Sequence, residues 1–182
     1  MKYAFAALAA VLTSVAVAGY SRTPTSVPVR TIAPSLCGRD EETLYSCPFA
    51  RGTGSVCLGR AQLHYRFGHL RHLDIDIVNA PDWSNIHIGR VVGYRGAYEN
   101  HIRFTNGQTH YVVYSAWLSN QSSPSGTPYS GISIFRGANG EKSIGHLDCP
   151  ARMEAGSMSR GLDNPHPLVT KEVENGPFDG WL

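Results

Sequence analysis

The chain has 182 residues, 42% of them hydrophobic, 16% charged and 10% aromatic, with sixteen Lys/Arg against fourteen Asp/Glu. That length suits one domain with a substantial core, and so low a charged fraction excludes a disordered, charge-solvated chain. A net charge of +2 excludes a strong electrostatic footprint for nucleic acid or an anionic membrane.

Residues 1–18 read as a signal peptide. Lys2 gives the positive start, residues 3–17 are apolar and uncharged, and Ala16-Val17-Ala18 is a small-x-small cleavage site before Gly19. The apolar run is too short and too rich in Ala to span a membrane comfortably, and no cysteine stands near the site to carry a lipid. The expected product is periplasmic or secreted and nearly neutral, with no membrane segment. Residues 19–36 carry Pro24, Pro28 and Pro34 among Ser and Thr without any period, and read as a flexible leader.

From Cys37 onward the chain turns to short β-like runs separated by turn residues. Residues 43–47 and 54–58 are the first two. Residues 62–67 alternate, with Leu63, Tyr65 and Phe67 on one face and His64 and Arg66 on the other. Residues 73–77 alternate as cleanly, with Asp74 and Asp76 outward. Residues 90–98 fit a strand or a turn. Asn106-Gly107, between residues 101–105 and 109–117, predicts a type I′ hairpin. Residues 119–128 are polar and read as a loop. Residues 129–135 and 142–149 form a second hairpin around the turn at 137–140. Residues 150–182, full of Pro, Gly and Asn, read as an irregular, loosely attached tail with a helical turn near 151–158. The predicted fold is all-β: an antiparallel sandwich or flattened barrel of about eight strands over residues 37–149.

Cys37, Cys47, Cys57 and Cys149 make an even set, read as two disulfides in an oxidising compartment. Cys47 and Cys57 flank a short Gly-rich loop and suit a cross-hairpin bond, which leaves Cys37 with Cys149. The other two pairings stay open. No C-x2-4-C pair points to zinc.

His64, His69 and His72 cluster near Asp74 and Asp76, but their spacing fits no ligand motif, and they read as solvated polar contacts rather than a metal site. His87, His101, His110 and His146 read as sheet-surface residues. No nucleophile motif is present, and no cofactor or catalytic residue is assigned. Aromatic and arginine side chains on strands and loops stand out instead. Trp83, Tyr94, Arg95, Tyr98, Trp117 and Tyr129 are the candidate protein-binding residues, because Trp, Tyr and Arg dominate interface hot spots.

Three stretches together carry a resemblance: Leu44-Tyr45-Ser46-Cys47 with Val56-Cys57, Tyr65-Arg66-Phe67-Gly68, and Phe104 to Tyr114 with Ser130-Gly131 and Leu147-Asp148-Cys149. This pattern resembles a group of small exported, disulfide-containing β proteins of Gram-negative bacteria. The resemblance implies fold and export, and it assigns no catalytic residue. The expected function is a non-enzymatic domain that binds another envelope protein, of inhibitor or immunity type. The alternatives are an envelope-associated hydrolase with a His/Asp site at residues 64–76 and a structural surface subunit.

Overall fold

A computed structural model describes residues 34–92, 97–120, 123–150, Met158 and Thr170–Lys171. Nine antiparallel strands build two stacked sheets. The first is a meander of β1 (Glu42–Phe49), β2 (Gly52–Leu58), β3 (Leu63–His69) and β4 (His72–Val78). The second is a meander of β5 (Ile86–Val92), β6 (Tyr98–Asn106), β7 (Thr109–Asn120), β8 (Ser123–Arg136) and β9 (Lys142–Asp148). A two-residue β10 (Thr170–Lys171) joins the free side of β5, parallel to His87 and Ile88.

Alternation decides which side chains meet between the sheets. Tyr45, Cys47, Val56, Leu63, Tyr65 and Ile77 from the first sheet pack on Ile86, Ile88, Ile102, Phe104, Val113 and Ile132 from the second. Tyr65 is buried to 1% exposure, its ring centroid 5.6 Å from Phe104 and 5.3 Å from Tyr111, so β3 lies over β6 and β7. Burial holds its hydroxyl protonated far above the usual phenol range. Gly54 faces Ile132: a Cβ there would meet Ile132 Cδ1 at 2.6 Å, so the missing side chain lets β2 sit on β8.

The two sheets are joined at both sides. Residues 79–85 cross from β4 to β5, held by Asn79 and Asn85: the Leu63 amide donates to Asn79 Oδ1 and the Ala80 amide to Asn85 Oδ1. At the far side the Cys47–Cys149 disulfide links β1 to the end of β9 across 102 residues. The second disulfide, Cys37–Cys57, fastens residues 34–37 onto the outer face of the first sheet. Of the three pairings left open, the one formed is thus Cys37–Cys57 with Cys47–Cys149 rather than a cross-hairpin Cys47–Cys57 bond, and strand parity explains why. In the β1–β2 ladder Cys47 lies opposite Gly54 and Cys57 opposite Thr43, with a bulge between Thr43 and Tyr45. Cys47 thus shares the inward face with Val56, while Cys57 points to the other side. Two such disulfides belong to an oxidising, non-cytosolic compartment.

Other expectations are also revised. Ile86–Val92 is a regular strand that gives the sandwich its ninth member. The β6–β7 turn is Gly107-Gln108 rather than Asn106-Gly107, since Asn106 pairs with Thr109. Of the two turn residues only Gly107 has positive φ, at 60°, which is the type II′ pattern. The stretch 119–128 is not a loop, because β7 and β8 run on to Asn120 and Ser123. Residues 34–36, assigned to the leader, belong to the domain, with Leu36 buried. The tail contributes Met158 to the core as well as β10. The signal peptide and residues 19–33 lie outside the described residues. Among the described residues no helix is long and apolar enough to cross a membrane.

Candidate functional site

Strand register gathers the scattered polar residues into two outward-facing clusters and leaves one aromatic row at an end of the second sheet. On the outer face of that sheet, His87, Arg103, Val112, Ser133 and His146 fall in one row across five strands. The next row is Gly89, His101, Tyr114, Gly131 and Asp148. Two histidines here are buried. The ring of His101 lies over Gly89, and its Nδ1 is 3.3 Å from Glu99 Oε1, with both side chains at or below 5% exposure. His110 donates from Nε2 to the Gly137 carbonyl at 2.7 Å, which leaves Nδ1 to accept from the Thr105 hydroxyl at 3.0 Å.

His146 stands at the open end of this face. Its Nε2 is 2.8 Å from Asp148 Oδ1 and its Nδ1 2.9 Å from Ser133 Oγ. The Nε2–H donates to the Asp148 carboxylate, so Nδ1 accepts from the serine hydroxyl. That proton order matches a serine, base and acid relay, but the surroundings do not. Ser133 is buried in the middle of β8, and the ladders to β7 and β9 engage the strand on both sides. Backbone N–H groups are thereby committed where an oxyanion would need them. The Tyr114 ring stacks on His146 at 5.9 Å, and Tyr129 packs on Tyr114 at 5.9 Å. Burial, then the nearby Asp148 charge, pushes the Tyr114 hydroxyl well above the usual phenol range, which keeps it a neutral donor. The cluster reads as a hydrogen-bonded sheet surface.

The outer face of the first sheet carries the second cluster, under residues 34–41. The Leu36 amide donates to Ser55 Oγ, Ser46 Oγ donates to the Pro34 carbonyl, and Arg66 Nη1 donates to the Leu36 carbonyl. Arg66 also grips Glu41 with both Nη atoms, Nη2 to Oε1 at 2.9 Å, and reaches Asp76 through Nε at 3.3 Å. His64 donates from Nδ1 to Asp76 Oδ1 at 2.8 Å. A planar guanidinium matched to a carboxylate is the strong form of surface ion pair.

The Arg66 hydrogen bonds hold the Glu41 carboxyl below the usual carboxylate range, opposed by partial burial. A depressed folded pKa contributes stability above the ordinary carboxylate value of about 4.3, lost as pH falls through the lower folded value. Glu41→Gln is therefore expected to lower stability at pH 7 and to flatten its fall below about pH 4.3. Thermal melts of both proteins from pH 7 to pH 2.5 check this, and parallel curves would refute it.

The candidate binding residues separate. Trp83 is a core residue at 5% exposure, held with positive φ of 59° in the crossing segment, so it offers no surface. Tyr94 and Arg95 lie outside the described residues. Tyr129 belongs to the outer face with Tyr114. Tyr98 and Trp117 come together as cross-strand partners, with Pro128 next in the row. They share the inward face of the second sheet, but beyond the core: Tyr98 is 44% exposed. The strands of the first sheet have at most eight residues, against twelve in β7 and fourteen in β8. His69 and His72 pair at the β3–β4 turn, whereas His64 lies at the far end of β3, about 16 Å of strand away. The three do not converge. No local signal marks Glu41, because its partner Arg66 is 25 residues distant.

Comparison of the chain with protein-family models, with curated proteins and with solved structures returns no match.

Proposed function

We propose that the chain is an exported periplasmic domain that binds another envelope protein and does not catalyse a reaction. The observation that carries this reading is the row of Tyr98, Trp117 and Pro128 on the inner face of the longer sheet, with Tyr98 and Pro128 exposed and Trp117 half-buried. Large aromatic side chains on a rigid strand bring contact area at small entropic cost, and they dominate measured hot spots. The two disulfides and the sandwich supply the rigid support, and the apolar leader at residues 1–18 supports export. The resemblance to small exported β proteins of Gram-negative bacteria agrees with that placement.

Affinity capture from a periplasmic extract tests the reading. One stoichiometric protein is expected on the wild-type chain, with capture reduced about tenfold or more by Tyr98→Ala/Trp117→Ala at unchanged circular dichroism. Equal capture by the folded variant would remove the aromatic row from the interface. A hydrolase reading has one supporting observation, the 2.8 Å contact of His64 with Asp76. It would prevail if turnover of cell-wall material by the pure protein vanished in a folded His64→Ala variant.

A further inference from the structure

We infer that the reduced form of the Cys37–Cys57 pair is a binding site for one thiophilic divalent cation of the zinc class. The inference stands apart from the protein-binding reading. Both sulfurs and a Glu41 carboxylate oxygen lie within 4.8 Å of one another, a spacing one ion can span. Oxidised, the sulfurs are bonded to each other and offer no thiolate. Two-electron reduction by a low-molecular-weight thiol or a thiol–disulfide reductase breaks the S–S bond and gives two thiols, while the reductant becomes a disulfide. The cation then displaces the two thiol protons.

A fourth donor, His64, lies near this set but outside its 4.8 Å span, so its ring would have to move toward the sulfurs. His64 is the direct cross-strand partner of Cys57, so both project from the same face of the first sheet. Its Nδ1 is engaged by Asp76 at 2.8 Å, and Nε2 lies 3.9 Å from Glu41 Oε1. A carboxylate on one ring nitrogen leaves the other as a free lone pair, the arrangement that orients a metal-ligating histidine. Glu41 would have to leave Arg66, and Arg66 keeps a carboxylate partner in Asp76 when it does. Two thiolates, one imidazole and one carboxylate match the soft and borderline donors that zinc and cobalt prefer over calcium or magnesium.

Cobalt(II) is the probe, since thiolate coordination gives it an intense near-ultraviolet charge-transfer band. The purified chain, reduced with a phosphine, is expected to bind one equivalent with that band, and the oxidised chain none. Cys37→Ser/Cys57→Ser should abolish the band. Glu41→Gln or His64→Gln, each with all cysteines kept, should weaken binding about tenfold or more. The inference is overturned if the reduced wild type shows no band or if the band survives in Cys37→Ser/Cys57→Ser. It is equally overturned if affinity is unchanged in both single variants. Those two leave every cysteine in place, so they remain informative even where the serine variant fails to fold.

Discussion

Replacing Cys47 and Cys149 together by alanine should cost about 4–5 kcal/mol of stability, the value expected for releasing a loop of roughly a hundred residues. For a domain of this size that corresponds to a fall in Tm of roughly 15 °C. The position of the bond makes so large an effect reasonable. Among the described residues the chain passes from one sheet to the other through residues 79–85, at the β4–β5 side. The bond sits at the opposite side, joins residues 102 apart, and has Cys47 fully buried among the core side chains. Without it the open side can splay, and the apolar faces of β1 and β9 lose their fixed separation. Cys37→Ala/Cys57→Ala is the matched control. Its 20-residue span predicts about 3 kcal/mol. Urea unfolding of both variants separates the cases. A larger loss from the Cys37–Cys57 pair would mean that the strap, not the inter-sheet bond, holds the sandwich.

Local signals in the sequence reached as far as local chemistry does. Alternation in residues 62–67 and 73–77 showed which faces of β3 and β4 turn inward, and Leu63, Tyr65 and Ile77 are core residues as that pattern requires. The same signal failed at β5 for a definable reason. Ile86 and Ile88 alternate with His87 over only three residues before Gly89, whose place in the strand is set by its partner His101. The disulfide connectivity stayed open because it depends on hairpin register: Phe49 pairs with Gly52, which sets Cys47 opposite Gly54 and turns Cys57, three residues along β2, to the other face. The polar stretch 119–128 carries the Ser- and Pro-rich chemistry of a loop, although β7 runs to Asn120 and β8 starts at Ser123. The two polar clusters were the least legible of all. His64 and Asp76 sat close enough in sequence to be noticed together, whereas Glu41, Arg66 and the Cys37–Cys57 bond meet them only through sheet order. Likewise Tyr98 and Trp117 were separate candidates until register made them one pair and left Tyr129 on the other face.

Gly89→Ala should destabilise the domain by about 2–3 kcal/mol, the upper part of the range for overpacking a filled interior. Intrinsic preference alone predicts the reverse sign, because alanine in a strand interior gains about 0.5–1 kcal/mol over glycine. Space decides. A Cβ at position 89 would overlap Nε2 and Cε1 of the His101 imidazole, and that ring is 3% exposed, with no solvent side to rotate into. Moving it would also disturb Glu99, buried beside it at 5% exposure. Removal of the ring by His101→Ala should therefore make Gly89→Ala tolerable. In a double-mutant cycle the pair is expected to show coupling of about 1–2 kcal/mol, the combined variant being more stable than the two single losses predict. Additive losses would mean that the ring does not rest on Gly89. At the other end of the row through His101 and Tyr114, a Cβ at Gly131 would meet the Leu147 carbonyl at 2.3 Å as well as Tyr114 Oη at 2.6 Å, so there the close approach of β9 joins the ring in excluding a side chain. The two strand glycines of this row thus mark close approaches, of the His101 ring at Gly89 and of the β9 backbone with Tyr114 at Gly131, and the polar face keeps its order only while both positions stay empty of side chain.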